Sequence, residues 1–307
     1  MSTSSDRGLF VWHEVGSHDL RASEAFYSSL IGWKAEGWDQ NPSYRLFKAR
    51  HEAKAGLYVI TAELNKVPPP PHWLSYIGTP DVDATVRQAV ELGGKVIVPA
   101  YNVPNVGRMA HLQDPQGAFF AVSAQDERTT YEEPQIGDFS WHELLTTNPQ
   151  TAWDFYSKLF GWEKTEAMDM GARGTYQVFG TDGHALGGIF AAGGLPGGPL
   201  WIPYVRLRDA KRAAETAREL GAAIAHGPAE VPGGDWVFTG IDGQGAMFAV
   251  QSRNTKIAKD TKTTKDTKNT KGTKDTKGTK SAKSGSTKIR KVAKATKGKK
   301  KKNTKTR

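Results

Sequence analysis

The sequence contains no cysteine among its 307 residues. Disulfides, iron–sulfur clusters, thiolate metal sites and cysteine nucleophiles are therefore excluded, and His, Asp and Glu remain as the metal-ligating side chains. The sequence also lacks a run of about 18 apolar residues, which a membrane helix requires, and its start lacks the basic and apolar regions of a signal peptide. No glycine-rich nucleotide fingerprint follows a strand-like segment. We therefore expect a cytoplasmic protein without a membrane span.

Charge and aromatic residues are distributed unevenly along the chain. Residues 253–307 hold 22 Lys and Arg and 3 Asp, whereas residues 1–252 hold 20 basic and 29 acidic residues. All 9 Trp, 9 Tyr and 12 Phe lie in the first part. Only that part can bury enough apolar surface to offset the conformational entropy lost on folding, so we predict that the Lys/Thr-rich tail at 253–307 is disordered.

The folded part contains an internal repeat. Residues 8–33 align with 137–162 with 11 identities in 26 positions, and residues 103–122 align with 231–250 with 9 identities in 20. A repeat of this length indicates two homologous domains in tandem. We place a disordered N-terminus at 1–7, the first domain at 8–125, an acidic linker at 126–136 and the second domain at 137–252.

The hydrophobic patterns predict the same order of elements in both domains. Strands over 10–15, 44–48, 56–60 and 73–77 accompany a first helix that Asp19 or Ser23 can cap and that ends at Gly32. A second helix over 82–92 precedes strands near 96–98, 108–113 and 118–122, and the second domain repeats this order. The unit is β-α-β-β-β, and it is present four times.

These features resemble the vicinal oxygen chelate superfamily, which includes glyoxalase I, bleomycin-resistance proteins and extradiol dioxygenases. The resemblance rests on the helix ending A-F-Y-x-x-L-x-G-W and on D-P-Q-G-A-x-F-A-V, and it covers residues 8–252. A tandem glyoxalase-like subgroup with a W-H-E opening is the most similar. The resemblance implies an α+β fold in which paired β-α-β-β-β units form cupped mixed sheets, with the ligand inside each cup.

The superfamily's metal positions can be compared with this sequence one by one. The first-strand position falls on Trp12 and Trp141, the next on His72 and Leu200, and the carboxylate position on Ala121 and Ala249. One imidazole without a carboxylate is an insufficient ligand set for a catalytic divalent metal. We therefore expect no metal and no other cofactor in either cup.

Strand alternation assigns the remaining candidates. Glu14 and Glu143 are expected to face into the cups beside Trp12 and Trp141, where a carboxyl group with a raised pKa could act as a general base; a purely structural hydrogen-bond acceptor is the equal alternative. Ligand contacts are expected from Trp12, His72, Tyr76, Trp141 and Tyr204, although packing could also explain the tyrosines.

The opposite faces of the first strands should be structural. His13 is expected to lie buried under the first helix with its hydrogen bonds satisfied, and Trp73 and Trp201 are also expected to be structural. The D-x-Q-G-A segments that begin at Asp114 and Asp242 have the residues of hairpin turns, so we assign them no chemistry.

The tail has lysine at every third position from Lys256 to Lys283, a period that does not form a helical stripe. It resembles the tails of histone H1-like bacterial proteins, and such a polycation binds DNA or RNA phosphates without reading sequence. A solubilising role, docking on the acidic body and other polyanions remain alternatives. The expected contacts are Lys262, Lys265, Lys268, Lys271, Lys274, Lys277, Lys280, Lys299, Lys300, Lys301 and Lys302.

The sequence leaves three functions open. The first is a protein that binds a small organic ligand without metal and contacts nucleic acid through its tail, in the cytoplasm or at the nucleoid. The second is a lyase or isomerase, lactoylglutathione lyase-like or dioxygenase-like, with Glu14 or Glu143 as base. The third is a regulatory interaction module with degenerate pockets. A homodimer is open as well, since members of the superfamily pair units between chains, whereas two fused domains can satisfy each other.

Overall fold

The computed structural model describes residues 6–61, 69–125, 130–191 and 197–254. The predicted α+β class with two tandem domains is confirmed, because these residues form two eight-stranded mixed sheets and four α-helices. In this part of the chain no helix is long and apolar enough to cross a membrane. The tail lysines named above all lie outside the described residues.

The first sheet and its helices occupy residues 10–125. Its elements in chain order are β1 (Phe10–Ser17), α1 (Leu20–Ile31), β2 (Lys34–Trp38), β3 (Asn41–Ala49), β4 (Glu52–Val59), β5 (His72–Gly78), α2 (Val82–Glu91), β6 (Lys95–Val103), β7 (Gly107–Gln113) and β8 (Phe119–Gln125).

The second sheet repeats this order over residues 139–252. It contains β9 (Phe139–Thr146), α3 (Pro149–Phe160), β10 (Glu163–Asp169), β11 (Thr175–Thr181), β12 (His184–Ala191), β13 (Leu200–Arg206), α4 (Ala210–Glu219), β14 (Ala223–Glu230), β15 (Trp236–Ile241) and β16 (Met247–Ser252).

The strand order places the two halves of each sheet side by side. The first sheet runs β2-β3-β4-β1-β5-β8-β7-β6, and the second runs β10-β11-β12-β9-β13-β16-β15-β14. In the first sheet β1 pairs in parallel with β4 and antiparallel with β5, and β5 pairs in parallel with β8. The central strands β1 and β5 therefore bring residues from both β-α-β-β-β units together.

Local sequence signals account for the helix ends. The side chain of Asp19 accepts a hydrogen bond from the backbone N–H of Ala22 and so caps the start of α1. Gly32 ends the helix in the left-handed conformation with φ 84°, which glycine adopts without steric cost. Asn148 caps α3, and Pro149 occupies its first position, where the missing N–H costs nothing.

The hydrophobic core is shared between the two domains. Phe26 of α1 packs edge-on against Phe248 of β16, with ring centroids 5.3 Å apart. In the other core cluster Phe120 of β8 contacts Phe155 of α3. The first unit of the chain therefore packs on the fourth and the second on the third, so neither domain completes its core from its own residues.

Buried hydrogen-bond chains reinforce this pairing. Tyr27 of α1 donates to the Asp242 carboxylate at 2.7 Å and accepts from the indole of Trp73. Asp242 also accepts from the backbone N–H of Gln244 and of Ala246 in its own turn. Asp114, Tyr156 and Trp201 repeat the arrangement. The D-x-Q-G-A aspartates are structural, as expected, and they also connect the domains.

His13 lies on the face of β1 that turns away from the cup. It is buried, but the contact that its imidazole makes is with the second sheet rather than with α1: its Nε2 lies 2.8 Å from Nε2 of His142, and its ring stacks on Phe139. His142 Nδ1 lies 3.2 Å from the Leu186 carbonyl. The expectation of cover by the first helix therefore needs correction, because two equivalent β1-type strands meet here.

Candidate functional site

Three neighbouring strands place one row of side chains on the open face of each sheet, the face opposite the helices. In the first sheet Trp12 on β1 pairs with Tyr76 on β5, and Tyr76 pairs with Ala121 on β8. In the second sheet Trp141, Tyr204 and Ala249 form the same row. We call these open faces the first cup and the second cup.

Glu14 lies at the centre of the first cup. Its Oε1 accepts from the Tyr44 hydroxyl at 2.6 Å, and its Oε2 accepts from the Tyr76 hydroxyl at 2.7 Å. The Trp12 indole N–H donates to the Tyr44 hydroxyl oxygen at 3.1 Å. Tyr44 is on β3 and Tyr76 is on β5, about 14 Å apart at three strand spacings. Both hydroxyls reach one carboxylate because the side chains lean inward over a curved sheet.

The hydrogen-bond network extends beyond Tyr76 to the other side of the cup. His111 Nε2 lies 3.0 Å from the Tyr76 hydroxyl and 3.2 Å from the Tyr101 hydroxyl. Tyr76 has a single hydroxyl proton, which it donates to Glu14. His111 Nε2 must therefore carry a proton and donate to Tyr76 whenever Glu14 is ionised. Glu14, Tyr76 and His111 therefore form one continuous hydrogen-bonded chain.

A second histidine lies at the end of the cup. His72 Nδ1 donates to the Pro70 carbonyl at 2.8 Å, so Nε2 of the neutral ring accepts from the Tyr58 hydroxyl at 3.4 Å. His72 pairs with Gly16, four residues along the ladder from the Tyr76–Trp12 pair. It is therefore not beside Trp12, and Tyr76 occupies that place in the row.

Burial sets the protonation states of the cup. It raises the pKa of Glu14 above its ordinary value, although hydrogen bonds from Tyr44, Tyr76 and Trp12 oppose the shift. Burial and the nearby His72 lower the pKa of His111 to about 4, and burial lowers that of His72. Both imidazoles are therefore neutral at pH 7, and Glu14 is the acidic group of the network.

Two glycines make room for the tyrosines that reach the central carboxylates. A Cβ on Gly56 would lie 1.7 Å from the Tyr44 hydroxyl oxygen, and a Cβ on Gly188 would lie 2.1 Å from ring atoms of Tyr176. Gly56 is the ladder partner of Glu14 on β4. The tyrosine ring can therefore lie flat across the neighbouring strand only because that strand has no side chain at this position.

The second cup has the central carboxylate and its two tyrosine donors, but it lacks the outer tyrosines and the histidines of the first cup. Tyr176 and Tyr204 donate to Glu143 at 3.2 and 3.3 Å, and the Trp141 indole donates to Tyr176. Burial raises the pKa of Glu143, while these hydrogen bonds and then the charge of Arg173 oppose the shift. At equivalent positions of the strand ladders, the second cup has Phe190 in place of Tyr58, Leu200 in place of His72, Ala229 in place of Tyr101 and Thr239 in place of His111.

The predicted site residues divide between the two cups. The structure brings Trp12, Glu14 and Tyr76 together in the first cup, with His72 at its end, and it places Trp141, Glu143 and Tyr204 in the second. Four further members of the first cup were not predicted from the sequence: Tyr44, Tyr58, Tyr101 and His111. The available signal was alternation along strands 41–49, 52–59, 95–103 and 107–113, which places each of them on the cup side.

The residues present do not match the divalent metal that the fold implies. The row that would supply ligands contains Trp12, Tyr76 and Ala121, and an indole and a methyl group do not bind divalent metals. Among the described residues, no three His, Asp or Glu side chains lie close enough together to hold a metal ion. The residues of the two cups therefore do not fit the metal.

Comparisons with known proteins agree with this architecture. A family model for the Glyoxalase/Bleomycin resistance protein/Dioxygenase superfamily matches residues 10–122. The chain is 31% identical over 253 residues to the putative glyoxylase CFP32 of Mycobacterium tuberculosis, covering 78% of this chain and 92% of that protein. It is 29% identical over 264 residues to the anthracycline biosynthesis protein DnrV of Streptomyces peucetius, covering 79% and 92%.

A solved structure shows the same fold. The Mn(II)-bound glyoxalase from Novosphingobium aromaticivorans matches with a TM-score of 0.56 and 19% sequence identity, covering 80% of this chain and 82% of that chain. At this level of identity the likeness concerns the fold and not the chemistry.

Proposed function

The chain belongs to the glyoxalase/bleomycin resistance protein/dioxygenase superfamily, and from this membership we propose that its first cup binds a small organic molecule through protein side chains without a divalent metal. The observation that carries the proposal is the Glu14 carboxylate, held at 2.6 and 2.7 Å by two tyrosine hydroxyls on the open face of the sheet. A ligand would meet this carboxylate, the Trp12 ring and the two neutral imidazoles.

Preorganised polar groups among aromatic rings support a binding role. Glu14, Tyr58, His72 and His111 are half-buried, so each keeps part of its surface on the open side of the sheet. Binding sites for small molecules combine apolar walls with a few oriented polar groups. Two relatives are named for different chemistry, one as a putative glyoxylase and one for anthracycline biosynthesis, and we therefore propose a small organic molecule as the class of ligand.

Native mass spectrometry with elemental analysis tests the proposal. We expect the purified full chain to carry a small organic molecule, or to bind one from a screened set, with less than 0.1 equivalents of divalent metal. Chelation with EDTA should leave that binding unchanged. A divalent metal bound at about one equivalent, or binding that disappears with EDTA, would contradict the metal-free part. Binding that survives Glu14→Gln combined with Tyr76→Phe would contradict the location.

A second function has its own observation, the raised pKa of Glu14. A carboxyl group with a raised pKa is a stronger base once ionised, and the Tyr76 contact connects it to His111, so a proton taken by Glu14 could be delivered elsewhere in the cup. This supports a lyase or isomerase that moves a proton on carbon. Glu143 would serve the second cup.

Isosteric substitution tests this second function. The probe is the hemithioacetal of methylglyoxal and glutathione, assayed with wild-type protein, Glu14→Gln and Glu143→Gln. We expect turnover that falls at least 100-fold in Glu14→Gln, since positioned bases contribute about 10²–10⁴-fold. Unchanged turnover in both variants would eliminate the carboxylates as bases, and absence of turnover in the wild type would leave binding as the function.

For the tail we propose weak binding of nucleic-acid phosphates and hence association with the nucleoid. The support is the sequence of residues 253–307, with 22 basic residues and 3 acidic residues. Affinity for duplex DNA should fall steeply between 50 and 200 mM salt, because binding releases counterions. Deleting residues 255–307 should abolish it, and DNA binding that persists in the truncated protein would refute this role.

A further inference from the structure

The central carboxylate of the first cup has no basic partner in the described part of the chain. The pKa of Glu14 is shifted by burial and by hydrogen bonds from Tyr44, Tyr76 and Trp12, and these three donors are neutral. The ion pairs that basic side chains of the first sheet form are with other acids: Arg45 with Glu24, Lys48 with Glu36, Arg50 with Asp138, Lys54 with Glu52 and Asp138, and Arg108 with Asp83. The cup therefore contains an acidic group whose counter-charge the described residues do not supply.

The field of this carboxylate extends over the whole cup. Burial is the largest cause of the raised pKa of all four tyrosines around Glu14, and the negative charge of Glu14 is the second; together they bring the pKa of Tyr101 to about 12. The imidazoles of His72 and His111 do not offset the charge, because burial keeps both neutral. An electronegative cup with aromatic walls is the setting in which proteins recognise organic cations.

We propose, building on the ligand-binding role proposed above, that the ligand of the first cup carries an organic amine whose ammonium group pairs with the Glu14 carboxylate among the rings of Trp12, Tyr44 and Tyr58. The neutral imidazoles and the hydroxyl of Tyr101 then contact oxygen or nitrogen groups on the rest of the ligand. An anionic ligand is disfavoured, since it would place a second negative charge beside Glu14 in a partly desolvated site.

The second cup differs in the features that the proposal uses. The charge of Arg173 acts on Glu143, and the Arg173 guanidinium lies 5.5 Å from the centre of the Phe190 ring. Leu200 replaces the histidine at the end of the cup. The preference for an amine is therefore assigned to the first cup alone, and Glu143→Gln serves as a matched control for Glu14→Gln.

Three probes that share one ring separate charge from shape. Tyramine, 4-ethylphenol and 4-hydroxyphenylacetate carry a phenol ring with a cationic, neutral or anionic substituent. Their dissociation constants are measured with the full chain at pH 7.5 and 150 mM salt by ligand-observed NMR. We expect tyramine to bind at least tenfold more tightly than 4-ethylphenol, a difference of about 1.4 kcal/mol, and 4-hydroxyphenylacetate to bind most weakly. The cationic tail attracts the anionic probe and would tighten its apparent binding, which is opposite to the expected order of affinities.

Two variants show which cup is responsible for the preference for tyramine over 4-ethylphenol. Glu14→Gln should bring the affinity for tyramine to within threefold of that for 4-ethylphenol, whereas Glu143→Gln, which changes only the second cup, should keep the full preference. Equal affinity of the wild type for the three probes, or tightest binding of the anion, would overturn the amine inference and leave the proposed binding function standing. Failure of all three to bind would count against that function as well. The wild-type series decides the charge preference even if Glu14→Gln does not fold.

Discussion

Replacing Gly56 by alanine should displace Tyr44 from the first cup. The new Cβ would lie 1.7 Å from the tyrosine hydroxyl oxygen and 2.3 Å from its Cζ. An ordinary contact of a Cβ atom begins at 3.4 Å, so the hydroxyl oxygen must move by about 1.7 Å. Its 2.6 Å hydrogen bond to Glu14 cannot survive a shift of this size.

The energetic consequence follows from the loss of that bond. A hydrogen bond to a charged group contributes about 1.5–3 kcal/mol, and we therefore expect Gly56→Ala to lower the free energy of unfolding by about 2–3 kcal/mol. This loss is measured by urea unfolding, with tryptophan fluorescence as the signal. Gly37→Ala on β2 is the matched control: its Cβ would meet only an arginine nitrogen at 3.7 Å, so the cost should stay below about 0.5 kcal/mol.

A double-mutant cycle decides whether the clash is the cause. In a Tyr44→Ala background the obstructing ring is absent, and adding Gly56→Ala should change the free energy of unfolding by less than about 0.5 kcal/mol. If Gly56→Ala costs as much in that background as in the wild type, the effect comes from the backbone of β4 and the reasoning about Tyr44 is wrong.

Three further outcomes are expected. Burial lowers the pKa of His142 to about 3 and that of His13 as well, so below pH 6.5 the unfolded chain binds more protons than the folded protein. The free energy of unfolding should therefore be lower at pH 5 than at pH 8, by about 2 kcal/mol from His142 alone. Urea unfolding at several pH values measures this, and a free energy of unfolding that does not change with pH would contradict it. Glu14 has a raised pKa, so its contribution to stability is lost as the pH rises from about 4.5 through the folded pKa, and Glu14→Gln should lack this decline in the same titration. Tyr27→Phe removes the donor to the buried Asp242 carboxylate and should cost about 1.5–3 kcal/mol in chemical denaturation, with unaltered stability as the contradicting result.

Local sequence signals predicted the regular elements wherever a physical rule acts over a few residues. Helix α1 begins after Asp19 and ends at Gly32 as expected, because capping and left-handed backbone geometry depend on the residues immediately around them. The strand Lys34–Trp38 was not identified. Its side chains are mostly exposed and show little alternation, and pairing with β3 is what makes this segment a strand.

The candidate site was predicted in part for the same reason. Alternation in the W-H-E strand correctly separated Trp12 and Glu14 from His13, since neighbouring side chains of a strand point to opposite faces. Tyr44 and His111 were missed because they belong to strands on either side of the centre, and no short-range pattern relates them to Glu14. Their convergence depends on the curvature of the sheet and on the absence of a side chain at Gly56.

The amino-acid sequence by itself determined the superfamily, the repeat and the number of β-α-β-β-β units, because each of these is a property of residue identity and spacing. Only the tertiary structure decided that the first unit packs on the fourth, that His13 meets His142, and that four tyrosines and two histidines surround Glu14. Any apolar helix face can bury itself against several partners, and the hydrogen bond between Glu14 and Tyr76, which are 62 positions apart, exists only once the sheet has brought those residues together.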